Sequence, residues 1–313
     1  MRADSSVFIT GATGFIGQHL VTALLEQGHA VRALVRPEKV TDKRIPAACE
    51  QFPVGLSDVD GLTAIVAGCD AVIYCAGNVR GSSPDDFLSA NINGVRAMLE
   101  ALQRVSRAPP LLLVSSLAAS RPHLSDYSFS KHAGEQLLLG RPSLAWTILR
   151  PPAVYGPGDK EMLPVFKMAR RGLLVHAGPA DQRLSLLHVD DLARAVLAWL
   201  ASWQQCLHKT YAIDDGRPDG YDWPAIGEAI SGGKYRQLIL PRLLLDVTAI
   251  SNVMLAKLMG YQPMLTPGKV RELVQADWLS DNCDFTAATG WRPNLDLRTG
   301  AQQLFATLSS ELR

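Results

Sequence analysis

Between residues 7 and 149, short wholly apolar runs alternate with stretches of helical periodicity, and this alternation leaves few architectures open. Val7–Thr10, Val31–Val35, Ala71–Cys75, Leu111–Ser115 and Trp146–Leu149 each read as a strand. Gln18–Gln27, closed by Gly28, and stretches near 86–105 and 127–139 carry apolar residues at helical spacing. A strand with no polar face has to be covered on both sides, so the strands run parallel with helices above and below. The expected fold is α/β, a doubly wound parallel sheet, and such sheets bind ligands beyond the carboxyl ends of their strands.

The first strand runs into Thr10-Gly11-Ala12-Thr13-Gly14-Phe15-Ile16-Gly17. The spacing of Gly11, Gly14 and Gly17 is weak by itself, because glycine is common here, at 25 of 313 residues. Its position is stronger. A strand, a tight turn and a helix start aim backbone N–H groups and the positive end of a helix dipole at a pyrophosphate. The turn, with Thr13, Phe15 and Ile16 beside its glycines, is therefore assigned to a dinucleotide rather than to a plain glycine-rich turn. The second strand ends Leu34-Val35-Arg36, without the acid that holds the ribose hydroxyls of NAD. A guanidinium pairs bidentately with phosphate, so Arg36 points to the 2′-phosphate of NADP, against the alternative of a solvated loop cation. NADP(H) is the expected cofactor, with NAD as the alternative.

Tyr127-Ser-Phe-Ser-Lys131 places a phenol and an ammonium four residues apart, on one face of a helix. Just upstream, Leu111-Leu-Leu-Val-Ser-Ser116 is a strand that delivers Ser116 to the carboxyl edge of the sheet. Hydroxyl, phenol and ammonium can then surround one carbonyl carbon beside a nicotinamide. Bringing a phenol from a pKa near 10 to neutrality takes about three units, roughly 4 kcal/mol. An ammonium about 4 Å away, at an effective dielectric of ~20, supplies an energy of that order. Tyr127 is therefore expected to carry the proton and Lys131 to tune it, rather than to be a core aromatic and a solvated lysine.

Taken together, TGATGFIG, the paired serines, YSFSK, LRPPAVYGPGD and HVDDLA resemble, in that order and over nearly the whole chain, the extended short-chain dehydrogenase/reductase family. The resemblance is to its NAD-dependent epimerase/dehydratase group and to the dihydroflavonol-reductase-like and hydroxysteroid-dehydrogenase-like relatives. It implies a Rossmann sheet followed by a smaller, helix-rich substrate domain. It implies that Ser116, Tyr127 and Lys131 are catalytic, that Lys131 also holds the nicotinamide ribose, and that Asn91 completes a proton relay. Leu56, Ala76, Gly77, Pro151 and Val154 would flank the cofactor, while Asn78 and Arg183 would join Ser116 at the substrate. A homodimer through the helices at 86–105 and 127–139 is also implied. The chain departs from the family pattern at Val54-Gly55-Leu56, where Gly-Asp-Leu is usual, and at Leu117-Ala-Ala-Ser120, where many epimerases have Val-Tyr-Gly. Eleven positions from Ser116 to Tyr127 leave a short loop where sugar contacts often sit, and the spacing from Arg183 to His188 is one residue longer than in many sugar-nucleotide enzymes. With Arg36, these departures favour the reductase-like branch.

Pro151, Pro152, Gly156, Pro157, Gly158 and Pro164 mark a loop leaving the sheet. The expected division is a dinucleotide-binding domain at 1–150, rejoined by 187–215, and a substrate domain made of 151–186 and 216–313. The returning part holds a helix at 188–200 and a strand at Tyr211–Ile213. In His188-Val-Asp190-Asp191 an aspartate is expected to cap that helix rather than bind a metal, and no metal site is expected. The apolar segment 238–259, interrupted by Pro241, Arg242 and Asp246, is expected to form a buried or pocket-covering helix in preference to a membrane-surface one, with no spanning helix in the chain.

Thirty-one basic against thirty acidic residues give a net charge of +1, which supplies no general attraction to nucleic acid. No metalloprotease, nucleophile-elbow or P-loop motif is present. Five cysteines without a C-x-x-C pair, and an N-terminus without a signal-peptide apolar region, fit a reducing cytoplasm. The expected function is NADP(H)-dependent hydride transfer between nicotinamide and a secondary alcohol or ketone of a small, apolar substrate. A nucleotide-sugar epimerase or dehydratase with transient hydride transfer is the first alternative, and a non-catalytic dinucleotide-sensing protein the second.

Overall fold

A computed structural model describes residues 5–37 and 44–311. The chain begins with β1 (Ser6–Thr10), α1 (Phe15–Glu26), β2 (Ala30–Val35), β3 (Glu50–Pro53), α2 (Val59–Val66) and β4 (Ala71–Tyr74). It continues through α3 (Asp85–Leu88), a π-helical turn at Ser89–Asn93, α4 (Gly94–Arg104), β5 (Leu111–Val114), α5 (Asp126–Leu139) and β6 (Trp146–Arg150). Next come β7 (Ala153–Tyr155), α6 (Leu163–Arg170), β8 (Leu173–His176), β9 (Arg183–Leu184), β10 (Leu186–His188), α7 (Val189–Ser202) and β11 (Lys209–Ala212). The remainder holds α8 (Trp223–Ser231), β12 (Arg236–Ile239), α9 (Arg242–Met259), α10 (Pro267–Leu273), β13 (Asp277–Trp278), α11 (Cys283–Thr289) and α12 (Leu297–Glu311).

Seven of these strands form one parallel sheet in the order β11-β6-β5-β4-β1-β2-β3. Val7 lies opposite both Val31 and Ala71, so the chain winds outward from β1 in both directions. The order reverses between β1 and β4, and the crevice of such a sheet opens there, above the carboxyl ends. Every residue of β4 and β5 is buried, as strands covered on both faces require. One face packs Leu20, Leu24, Val196 and Trp199, the other Leu62, Ile65, Met98 and Leu138. Phe285 and Trp291, far along the chain, join the first of these layers.

Two sheet-domain elements were not legible in the sequence. β3 reads Glu-Gln-Phe-Pro, an edge strand with no apolar run, and its terminal proline is tolerated because no further strand needs its N–H. α2 carries Gly61 in its first turn, but Asp58 caps it by accepting from Gly61 N at 2.9 Å. The α7 cap differs from expectation too. His188 itself is the N-cap, its Nδ1 accepting from Asp190 N at 3.3 Å. Buried Asp191 instead accepts from the Asn294 and Leu295 amides at 2.9 Å, which ties the C-terminal segment to α7.

The largest departure is the apolar segment 238–259. Its helix, α9, is not buried: only Leu245, Ala249 and Ala256 are buried, while Leu243 is 76% exposed and Leu258 85%. Apolar composition predicts burial only when another element offers an apolar partner, and α9 finds one on a single narrow stripe, against Val270 of α10.

Candidate active site

The glycine turn is built by close approach. Gly11 has a φ of 75°, and a Cβ there would stand 2.8 Å from the backbone of Cys75 and Ala76. A Cβ on Gly17 would stand 2.1 Å from the Gly11 carbonyl oxygen. The end of β1 is thus pressed against the segment leaving β4, and Thr10 Oγ1 clamps the two by accepting from Cys75 N at 3.2 Å and Ala76 N at 3.1 Å. The N-cap of α1 is Gly14, which has no side chain to bond the helix's first amides, the arrangement an anionic pyrophosphate would complete. Thr13 and Phe15 are half-buried at this mouth, and Ile16 packs on the core below. Arg36 stands exposed just past β2, the strand next to β1, while Leu56 packs into the opposite apolar layer. These residues fit a bound dinucleotide.

Ser116 follows β5 and caps a short 3-10 turn, its Oγ accepting from Ala118 N at 3.2 Å. Ser125 starts α5 as its N-cap, accepting from Ser128 N at 2.9 Å, and so sets the facing of the next turn. Tyr127 in that turn lies close enough to Ser116 for the hydroxyl to act on its phenol, and its ring leans on Phe87, with centroids 6.3 Å apart. One turn on, buried Lys131 donates from Nζ to the Val114 carbonyl at 2.9 Å. A Cβ on Gly77 would lie 3.7 Å from that Nζ and 3.2 Å from Asn91 Oδ1, so this glycine sits directly against both groups on the floor of the crevice.

Asn91 sits buried in the π-helical turn, a common device at functional sites. Its Oδ1 accepts from Asn78 N at 3.0 Å, and its Nδ2 donates to the Asn78 carbonyl at 3.1 Å and to Ser130 Oγ at 2.8 Å. Ser130 Oγ in turn donates to the Tyr127 carbonyl at 2.8 Å. Asn91 therefore joins the segment leaving β4 to the helix that bears Tyr127. Asn78 uses its own side chain to donate to the Asp86 carbonyl at 2.8 Å. Pro151 accepts from Leu117 N at 2.8 Å, which seats the Ser116 turn against the end of β6, and Val154 follows on β7. Arg183 lies on β9, with Nη1 3.2 Å from the carboxylate of Asp222; its ionic partner is thus a helix cap rather than the Ser116–Tyr127–Lys131 group.

Burial pushes the Tyr127 phenol up to about 12; the nearby Ser116 side chain works downward, and the charge of Glu272 adds to the rise. The lowering expected from Lys131 does not operate in the protein alone: its ammonium is turned to the Val114 carbonyl and does not enter the Tyr127 shift, which desolvation dominates. Burial also draws Lys131 down to about 8, with Cys75 and Glu135 opposing. The ordinary value is 10.5, so below about pH 8 the folded protein carries the full cost of a buried ammonium. Between pH 8 and 10.5 the unfolded chain binds more protons than the folded one, and this residue's contribution to stability rises with pH. Lys131→Met is expected to exceed the wild type in unfolding free energy most near pH 7. Urea titrations at a series of pH values should show that difference narrowing above pH 8; a constant difference would refute the assignment.

Two supporting groups were missed by sequence reasoning. Glu135, one turn beyond Lys131, is 1% exposed and accepts from Ser115 Oγ at 2.5 Å and from Arg150 at 2.9 and 2.5 Å. Its position four residues after Lys131, level with the Arg150 that ends β6, was the available signal. Glu272 of α10 accepts from both Ser125 Oγ and Ser128 Oγ, with no sequence signal at all.

A parallel sheet with a glycine turn at its switch point, and a serine, tyrosine and lysine beside it, defines a nicotinamide-dependent enzyme of the short-chain dehydrogenase type. A model of the NAD dependent epimerase/dehydratase family matches residues 7–213, and the chain belongs to that family. It is accordingly an NAD(P)-dependent oxidoreductase or epimerase. The chain is 35% identical to a ceramide reductase of Caulobacter vibrioides over 280 residues, covering 88% of this chain and 86% of that one. A 2-alkyl-3-oxoalkanoate reductase of Stenotrophomonas maltophilia is 30% identical over 236 residues, covering 68% and 71%. A Bacillus cereus UDP-glucuronic acid 4-epimerase, solved with UDP-glucuronic acid and NAD, shares the fold at a TM-score of 0.74 and 19% identity, over 98% of this chain and 99% of that one.

Proposed function

We propose that the protein is an NADP(H)-dependent reductase that interconverts a ketone and a secondary alcohol on a substrate with an alkyl chain. The observation that carries this reading is the approach of Ser116 at the end of β5 to Tyr127 of α5, one turn before buried Lys131, at the carboxyl edge of the sheet. Ser116 is the group that polarises the substrate oxygen. Tyr127 gives its proton to that oxygen as charge develops there, and recovers one afterwards from solvent. Lys131 orients the ribose, and Asn91 with Ser130 keeps α5 at a fixed distance from the crevice floor. When bound, the nicotinamide supplies the hydride and, oxidised, a positive charge that favours the phenolate.

Asn78 and Arg183 are assigned to the substrate side, within a substrate portion formed by 151–186 and 216–313. A ceramide reductase and a 2-alkyl-3-oxoalkanoate reductase among the relatives favour an alkyl-bearing ketone over a nucleotide sugar. The outward faces of α4 and α5, where Phe129 is exposed, are the surface assigned to a homodimer. A reducing cytoplasm suits the five free cysteines.

Incubation with NADPH and long-chain ketones, in parallel with UDP-hexoses, tests the reaction. Ketone-dependent loss of NADPH absorbance is expected; interconversion of UDP-sugars with no net cofactor consumption would replace this reading with the epimerase one. Arg36 tests the cofactor. Charge-assisted hydrogen bonds contribute roughly 1.5–3 kcal/mol, so Arg36→Ala should weaken NADP binding about ten- to hundredfold in calorimetry and leave NAD unchanged. Equal losses for both would assign the cation to something other than the 2′-phosphate.

A further inference from the structure

We infer that α9 and the adjoining β12 form a docking surface for an anionic lipid bilayer, on which the protein lies without crossing it. Leu243, Val247, Ile250, Met254 and Leu258 recur at intervals of three and four residues, and all are exposed, Leu258 at 85%. They form a continuous apolar stripe along the helix. Leu238 and Ile239 of β12, 48% and 54% exposed, stand just before it in the chain. A helix laid in the interface needs such a stripe together with cations that reach the headgroups.

The charges here are of that kind. Between residues 234 and 262 stand Lys234, Arg236, Arg242 and Lys257, all exposed, against the single carboxylate of Asp246. This segment carries +3 in a chain whose net charge is +1. Asp246 is held by Arg242 at 3.6 Å, which leaves Lys234, Arg236 and Lys257 with no other carboxylate in this segment. The same charges disfavour a second copy of the chain as occupant, because a two-fold contact through this face would set two cationic rims against each other. Among the described residues no helix is long and apolar enough to cross a membrane, so the contact is peripheral.

The surface is mechanically joined to the catalytic helix. Leu245 and Ala249 of α9 pack on Val270 of α10. α10 in turn reaches the start of α5, with Arg271 Nε donating to the Leu124 carbonyl at 2.7 Å and Glu272 accepting from Ser125 and Ser128. A bilayer seated on α9 is therefore one thin helical layer from the residues that set Tyr127, a short route for a ketone dissolved in lipid. Bilayer binding stands without the proposed reaction; only this delivery role rests on it.

Full-length protein is sedimented with vesicles of phosphatidylcholine, with and without phosphatidylglycerol, at low and high salt. Binding is expected to need phosphatidylglycerol, to weaken with salt, and to fall at least about tenfold in the Leu243→Glu/Leu258→Glu double variant. Both side chains are exposed, so the variant should keep the wild-type thermal midpoint and cofactor affinity. Failure of the wild type to bind either vesicle, or equal binding by the variant, would overturn the inference. So would sedimentation velocity showing a dimer that the variant abolishes, since the face would then belong to a second copy. None of these readouts depends on turnover, so their outcome is separate from that of the ketone assay.

Discussion

Tyr127→Phe is expected to lower kcat for ketone reduction by about a thousandfold while leaving NADPH affinity unchanged. In the proposed reaction the phenol gives a proton to the substrate oxygen, and positioned proton transfer is worth roughly 10²–10⁴ in rate. The ring itself only leans on Phe87 and stays half-buried, so removing the hydroxyl leaves the packing of α5 intact. Because burial raises the Tyr127 phenol to about 12 in the protein alone, it is protonated at neutral pH, the form a reduction needs. Steady-state kinetics with separate determination of KM and of cofactor binding checks this. A variant that retains wild-type kcat would remove Tyr127 from the chemistry and revive the reading of the protein as a dinucleotide sensor.

The second large effect lies behind the site. Glu135→Ala is expected to reduce unfolding free energy by about 2–4 kcal/mol, because it removes the buried carboxylate that holds a partly buried guanidinium and a serine hydroxyl. Arg150 would lose both its hydrogen bonds and buried Ser115 its acceptor. Urea denaturation at pH 7 reads the change directly. Glu135→Gln, which keeps an acceptor but not the charge, should fall between the two; a loss below about 1 kcal/mol for the alanine variant would mean that the pair is idle.

The parts of this enzyme most legible in its sequence are those where a local rule has no competitor. Wholly apolar strands such as Leu111–Val114 can only be central, and the glycines at 11 and 17 mark contacts that admit no side chain. Ser116 and Tyr127 could be paired on paper because strand and helix geometry fix where each points. The edge strand β3 was silent, since half-exposed Gln51 and Phe52 carry no periodicity. α9 misled for a related reason: hydrophobicity records what a segment avoids, whereas burial depends on what the rest of the chain offers it. The direction of the Tyr127 shift was also beyond the sequence, because it turns on desolvation and on Glu272, a residue 145 positions away that only the fold brings near.

The return of Phe285 and Trp291 beneath the sheet has a consequence for how such an enzyme can diversify. Residues from Gly216 to Asn282 are anchored at both ends, as a closed excursion rather than a tail. Insertions, deletions and new surface chemistry inside that excursion, outside the α10 residues Arg271 and Glu272 that hold the start of α5, change what the enzyme meets without tugging on the nucleotide crevice. Ligand preference is thereby free to drift while the proton-handling apparatus stays in register.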